Sequence, residues 1–477
     1  MPPRPLRLAQ RSNPGRDPAI GSARLVNCYT EAQGEDGKAA WPIVAAPGLK
    51  HWLKLSVEGC RGLHVVDDQI ALAVYGTDII EIQKEGTFRV AGGIAGSGLV
   101  TFGQNRRPSG TQVAIVSGPN RRVYDAATGG ATVMLDADLP VDTIGCDAVA
   151  TYVLYFLANG SMYWSASNDA ASVAALDFIE AESSNDGLVR GIVHEGNVWL
   201  FGPRSTEVWG LTQNADAPFA RLPGAAIAQG CVAAATVVRL QMPSGGRLAW
   251  IADDRTVRMS AGYAGERISE HAVERAVGAI ADPSTIDATS YTLDGHVFLS
   301  LSSPQWTWVW NATTRLWHEE ASYGLGRRRI RHAMSFAGRT LVGDYASSRL
   351  HEVGHGFHDD DGSPLVCDIV TPPDHAYPHD IEYNALYIDT VPGSGLVTGE
   401  PDQIDPALSV RWSFDGGRRF GKWRTLKTGK VGQHKKRVAT HALGTSGEDG
   451  AVFHIQWSPA IARAVTQAAV DAQGVAA

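Results

Sequence analysis

The sequence predicts an all-β protein: a β-propeller of six or seven blades followed by a C-terminal β-sandwich. Three observations carry that expectation. One hairpin pattern recurs seven times, its strands read as continuous apolar runs bounded by turn residues, and beyond Leu350 the period stops and short alternating strands take over.

An N-terminal arm spans residues 1–55, punctuated by Pro and Gly in "RSNPGRDPAIG" and "VAAPGLKHW". Its one strand-like piece, "RLVNCYTE" at 24–31, is the candidate for closing a ring. Residues 56–360 hold the repeats: "IALAVYGTDIIEI", "VAIVSGPNRRVYDA", "VLYFLANGSMYWSA", "NVWLFGPRSTEVWGLT", "LAWIADDRTVRMSA", "VFLSLSSPQWTWVWNA" and "TLVGDYASSRLHEV". With Ile80, Val123, Tyr163, Val208, Val257, Val309 and Leu350 as equivalent points, the steps are 43, 40, 45, 49, 52 and 41 residues, the length of a blade of about four strands. Middle strands of a blade are covered on both faces by the neighbouring blades, which calls for runs such as "VWLF" and "LAWI". The strand after the break is expected to alternate, as Glu207, Val208 and Trp209 do. One blade cannot bury two apolar faces alone, whereas a closed ring can.

Residues 361–477 read as a separate β-sandwich, with "LVCDIVTPP", "EYNALYIDTV", "ALSVRWSFDGG" and "AVFHIQWS" as short strands. The Ala-rich end, "SPAIARAVTQAAVDAQGVAA", fits either a helix or an edge strand of that sandwich. Inside the repeats only "RISEHAVERAVGAI" at 267–280 looks helical, with Ser269 as its N-cap.

Composition narrows the function classes. A chain of 477 residues exceeds what one core usually serves, and 44% hydrophobic with 19% charged residues is ordinary for a folded protein. A formal net charge of -8 argues against a surface built throughout to hold nucleic acid. Cys28, Cys60, Cys146, Cys231 and Cys367 are widely spaced without a C-x-x-C pair, a pattern of free thiols in a reducing cytoplasm. The basic N-terminus lacks the apolar core of a signal peptide, and no run approaches a membrane span.

Three motifs invite a chemical reading. "HEVGH" at 351–355 fits the H-E-x-x-H zinc motif, with His358 and Asp359 following. That chemistry needs both histidines one helical turn apart, and a strand followed by Gly354 and Gly356 does not supply the helix. "SFDGGRRF" at 413–420 resembles the Asp-box hairpin of sialidases, in which the Asp holds its own turn. The basic runs "GRRRIRH", with Arg327, Arg328, Arg329 and Arg331, and "GKWRTLKTGKVGQHKKR", with Lys435, Lys436 and Arg437, are candidate interface residues; their plain reading is solvated edge charge. No catalytic, cofactor-binding or metal-ligating set is assigned.

"LVNCYTE" with "APGL", "GNVWLFGPRSTEVW", "PFARLPGAAIAQGC", "GYAGERISEHAVE" and "WSFDGGRRFGKW", taken in order from 24 to 457, resemble the packaged-DNA stabilisation proteins of short-tailed bacteriophages, the tail hub or nozzle proteins also called tail accessory factors. The resemblance implies a non-enzymatic virion component without cofactors, assembled in the host cytoplasm. It further implies a ring, a homohexamer, below the portal and its adaptor, which closes or extends the DNA channel, retains packaged DNA and anchors the tail needle and the tailspikes or fibres. Double-stranded DNA would pass without specific binding through a neutral or acidic lining, no membrane would be entered, and the "GRRRIRH" run would face a protein neighbour or the adaptor. The sandwich would face the tail or the adaptor. The alternative reading is a propeller-sandwich protein that binds or hydrolyses glycans, as sialidases do.

Overall fold

Each recurring pair of apolar runs folds into the two middle strands of a four-stranded antiparallel blade. The pairs are Ile70–Tyr75 with Asp78–Gln83, Gln112–Ser117 with Asn120–Asp125, Tyr152–Leu157 with Ser161–Ala166, and Asn197–Phe201 with Thr206–Leu211. Gly245–Ile251 with Val257–Ala261, His296–Ser302 with Thr307–Asn311, and Arg339–Asp344 with Arg349–Gly354 complete the series. The computed structural model describes residues 2–55, 59–108, 110–134, 136–181, 186–212, 214 and 217–475, and among these the blades number seven.

The first strand of each blade lies toward the axis: Cys60–Val65, Thr101–Gln104, Thr143–Val149, Arg190–His194, Val238–Met242, Asp287–Leu293 and Ile330–Phe336. Inner strands crowd there, and Gly103 shows how closely. A Cβ at Gly103 would sit 2.5 Å from the carbonyl oxygen of Asp147 in the next blade. Between successive blades lie apolar cores, such as the one Leu72, Val74, Val113 and Ile115 build between the first two. Two of the third strands are buried more fully than alternation would give: Thr206, Glu207 and Val208 are all enclosed, and every residue of Thr307–Asn311 is buried. The reason is the fourth strand, which takes the outer edge and carries the exposure, as in Phe88–Gly93.

Ring closure differs from the expectation. Gly48–Lys54, not 24–31, supplies the fourth strand of blade seven by pairing with Arg349–Gly354. Gly48 is required at the start of that strand, because a Cβ there would lie 2.4 Å from the carbonyl oxygen of Phe357. Residues 24–31 instead divide between two sheets. Arg24–Val26 lies between Leu316–Glu320, the outer strand of blade six, and Cys367–Val370, so one sheet of nine strands runs from the propeller into the sandwich. Cys28–Thr30 then joins the opposite sheet through Ile43–Ala45. The crossing is made at Asn27, whose φ of 54° is a left-handed conformation that Asn tolerates. Its side chain donates to the carbonyls of Ala321 and Val366 and accepts from the amide of Ala321.

The sandwich packs Cys367–Val370, Val452–Trp457, Ala407–Ser413 and Arg424–Lys427 against Ala464–Val475, Asp380–Thr390 and Val438–Ser446. Leu25, Ile43, Ile369, Leu386, Phe453, Ile455 and Val470 share its core. The Ala-rich terminus is neither a helix nor an edge. Ala464–Val475 pairs along Asp380–Thr390 on one side and takes Arg4–Leu6 on the other. Its apolar side chains decide this, since Val465, Ala468 and Val470 reach the core while Thr466, Gln467 and Asp471 do not, the step from 465 to 468 being taken up by a register shift opposite Asp389 and Thr390.

The helix forms at His271–Gly278 and buries Ala272, Val273 and Val277 between blades five and six. Ser269 is not its cap: it accepts from the amide of Val257 and donates to Glu274 at 2.7 Å, and Glu270 occupies the cap position without a side-chain bond.

Candidate functional site

The basic run at 326–332 sits at the junction of the ring closure and the sandwich, and the structure turns it inward. Arg328 is fully buried. It donates to Asp360 at 2.9 Å and to the Pro47 carbonyl at 2.7 Å, and its Nε lies 3.5 Å from Glu320. Asp360 also accepts from Ser322 at 2.7 Å. Four segments therefore meet on one guanidinium: the arm, blade six, the link to blade seven and the chain leaving it. Burial lifts the Asp360 carboxyl above its ordinary value against the pull of Arg328. Arg327 is buried beside it, paired with Asp287 at 3.1 Å and stacked on Tyr345. Arg331 shares that aspartate at 3.0 Å, and Arg329 pairs with Asp344 at 2.8 Å. Within the chain, Arg327 and Arg328 offer no guanidinium to a neighbour, and only Arg329 and Arg331 are partly exposed. A run of arginines reads as surface charge because the acids that accept its hydrogen bonds lie 15 to 44 positions away.

The second run behaves otherwise. Lys435, Lys436 and Arg437 are exposed and line a groove of about 900 Å³ on the sandwich with Lys38, Tyr387, Asp389, His434 and Gln467. Arg437 lies over the Tyr387 ring at 5.9 Å. Burial opposes ionisation of Asp389, but hydrogen bonds from Lys38 and Thr466 outweigh it and hold the carboxyl below its usual range. Lys38 thus consumes the groove's acid, and among the described residues Lys435, Lys436 and Arg437, which line the groove, form no ion pair.

The outer edges of three successive blades are uncovered. Phe88 and Val90 of blade one, Val133 of blade two and Leu176 of blade three are exposed, Leu176 by 87%. They lie on Phe88–Gly93, Gly130–Val133 and Asp169–Glu180, the outermost strands. Tyr377, Leu396, Val397 and Trp423 add exposed apolar surface on the sandwich.

The first four residues of the 351–355 motif lie on the strand Arg349–Gly354, and His355 falls in the turn that follows. His351 points into the protein beside Asp361, and burial holds it at about 4. Glu352 pairs with Arg339 on the outside. His355 reaches Tyr29 at 2.7 Å and Asp294 at 2.6 Å. Alternation along Arg349–Gly354 sends the first His and the Glu to opposite faces, so the set does not converge. Among the described residues no group of three His, Cys, Asp or Glu side chains is placed to hold a metal ion. In the Asp-box, Asp415 accepts from Ser413 and from the amides of Arg418 and Arg419 at 3.0 and 2.9 Å, fastening its own turn. All five cysteines are buried free thiols. No described helix is long and apolar enough to cross a membrane.

Sequence reasoning missed the polar lining of the propeller axis, where His64, Asp147, Arg190, Arg239 and His332 surround a cavity. The available signal was charge placed inside first strands, such as Arg190 in "RGIVH", next to apolar runs.

Residues 25–355 match the model of a family described as "Bacteriophage P22 Gp10, beta-propeller". No curated protein matches the chain. Among solved structures, it is similar to YCF48 bound to D1 peptide, at 10% identity over 63% of this chain and 93% of that one, with a TM-score of 0.40. It is also similar to the β-propeller domain of Myceliophteria thermophila Cps50 (Swd1), at 9% identity over 64% and 99%, with a TM-score of 0.42. A third is the WD40 β-propeller domain of Doa1, at 10% identity over 64% and 96%, with a TM-score of 0.41.

Proposed function

The chain belongs to the bacteriophage P22 Gp10 β-propeller family, and from that premise we propose that it forms a ring, a homohexamer, below the portal and adaptor of a short-tailed phage. There it extends or closes the DNA channel, retains packaged DNA and anchors the tail needle and the tailspikes or fibres. The family supports a structural protein of the phage virion; the ring, its partners and its assembly in the host cytoplasm are our reading.

The observation that carries it is the row of uncovered apolar side chains on three consecutive blade edges, Phe88, Val90, Val133 and Leu176. Blade edges in a solitary protein are protected by charge or by a covering segment. Large exposed apolar side chains in a row mark a contact surface. A closed ring uses heterologous contacts, in which one patch of a subunit meets a different patch of the next. The sheet that continues from blade six into the sandwich suits a structural role, since strand pairing as well as the linking chain joins the two units. The exposed cations at Lys435, Lys436 and Arg437 suit an acidic protein surface of the adaptor or needle. DNA passes without tight contact, because phosphate binding would retard ejection and make it steeply salt dependent.

Mass measurement of the purified chain by light scattering, alone and with portal and adaptor, tests this. A hexamer is expected in at least the second case, and Leu176→Glu with Val133→Glu should abolish it without lowering the melting temperature. A chain that stays monomeric with both partners present, or a double variant that assembles normally, would overturn the reading.

A further inference from the structure

The inner strands of the blades enclose a cavity of about 270 Å³ whose lining is polar, although the faces between blades are apolar. Its charged residues are Arg190, Arg239 and Asp147, two cations against one carboxylate, with His64 and His332 beside them.

Most of these groups are satisfied by the chain itself. Asp147 accepts from the amides of Ala148 at 2.9 Å and Val193 at 2.7 Å, and pairs with Arg239. Arg239 also donates Nε to the Val193 carbonyl at 2.9 Å. His64 donates its Nε2–H to the side-chain oxygen of Gln104 at 2.6 Å. Arg190 is the exception. Its Nε and Nη1 are buried and find no hydrogen-bond acceptor among the described residues. Burial presses its pKa down, and Asp147, the acid whose charge pulls the other way, is already occupied by Arg239 and two amides. A cation whose buried N–H groups lack an acceptor is costly to hold.

His332 points to the same conclusion from the backbone. It is the extra residue of a bulge between Arg331 and Ala333, and its φ of 58° is left-handed. A bulge re-aims a side chain, and left-handed backbone at a residue other than Gly or Asn is retained where the surroundings demand it. The result is an imidazole at the cavity whose Nε2 is buried and unpartnered. Burial first, then the charge of Arg331, holds His332 at about 4, so near neutral pH it is uncharged and carries one N–H.

We propose that the axial cavity binds one small oxoanion of the phosphate or sulfate kind, with Arg190 supplying the opposing charge and His332 a neutral hydrogen-bond donor. Water would satisfy hydrogen bonds but not the charge. A planar guanidinium also favours an oxoanion over a halide, because its parallel N–H groups match two oxygens. The site is complete within one chain and independent of ring formation.

The test is calorimetric titration of sodium phosphate and of sodium sulfate into the full chain, with sodium chloride at matched ionic strength as control. Saturable binding of one anion per chain is expected, weakened at least about tenfold by Arg190→Gln. A variant carrying Lys435→Gln, Lys436→Gln and Arg437→Gln separates the cavity from the basic groove and should bind as the natural chain does. In anion-free buffer Arg190→Gln should melt at or above the natural chain, because it removes an uncompensated charge; in phosphate only the natural chain should gain. No saturable binding up to about 10 mM of either anion, or equal binding by Arg190→Gln, would overturn the proposal. So would Arg190→Gln melting well below the natural chain in both buffers, which would make Arg190 a structural residue.

Discussion

Arg328→Met keeps the stem of the side chain and removes its charge, leaving Glu320 and Asp360 buried without their cation. Both acids are almost completely enclosed; the groups left to oppose their charge are His318, 3.2 Å from Glu320, and, through longer-range attraction only, His355 on Glu320 and Arg329 on Asp360. Breaking a buried ion pair from one side costs about 3–5 kcal/mol, most of it from the charge left behind. The carboxyls can escape that cost by taking up protons, which lifts their folded-state pKa above the unfolded value. A group lifted in this way favours the folded state below its unfolded pKa and loses that contribution as pH rises through the folded one. The deficit of Arg328→Met should therefore be smaller at pH 5 than at pH 8, while titrations common to both proteins cancel in the difference. Urea midpoints followed by tryptophan fluorescence at the two pH values measure this. The pair of changes Arg328→Met and Asp360→Leu should recover part of the loss, since an apolar replacement of a buried pair is often neutral. A single variant within about 1 kcal/mol of the natural chain, with no pH dependence, would refute a stabilising role for the Arg328 pairs.

Two buried histidines predict acid sensitivity. His332 and His351 each sit at about 4, below the usual 6.5, so the unfolded chain binds more protons between these values. Stability is fully present above pH 6.5 and should fall by up to about 1.4 kcal/mol per pH unit for each histidine as pH drops toward 4. Replacing either with Gln should flatten a plot of urea midpoint against pH in that window; an unchanged slope would exclude burial in neutral form. At the hub, Gly103→Ala drives a methyl group against the Asp147 carbonyl and should cost about 1–3 kcal/mol. Gly98→Ala, where a Cβ meets nothing within 4 Å, is the control and should leave the thermal midpoint nearly unchanged.

The seven hairpins were legible because their cause is local. A strand covered on both faces must be apolar throughout, a two-residue break such as Gly76 and Thr77 turns it, and both marks stand in consecutive positions. The exposed Lys435, Lys436 and Arg437 were legible for the same reason, as adjacent charges in a turn-rich stretch. Ring closure by Gly48–Lys54 was not, because any extended segment reaching blade seven would do, and the close approach of Gly48 to the Phe357 carbonyl exists only once distant strands meet. Nor was the crossing at Asn27, whose three hydrogen bonds go to residues about 300 positions away.

The sequence by itself determined which residues pair with their near neighbours, how many such hairpins exist and where the repeat ends, since those follow from side-chain period and turn chemistry along the chain. Only the tertiary structure decided that Arg327 and Arg328 are interior and that Arg190 faces a cavity without a partner. The charge state an arginine must balance depends on which carboxylates folding brings beside it, and Asp360 and Asp147 arrive from distant strands.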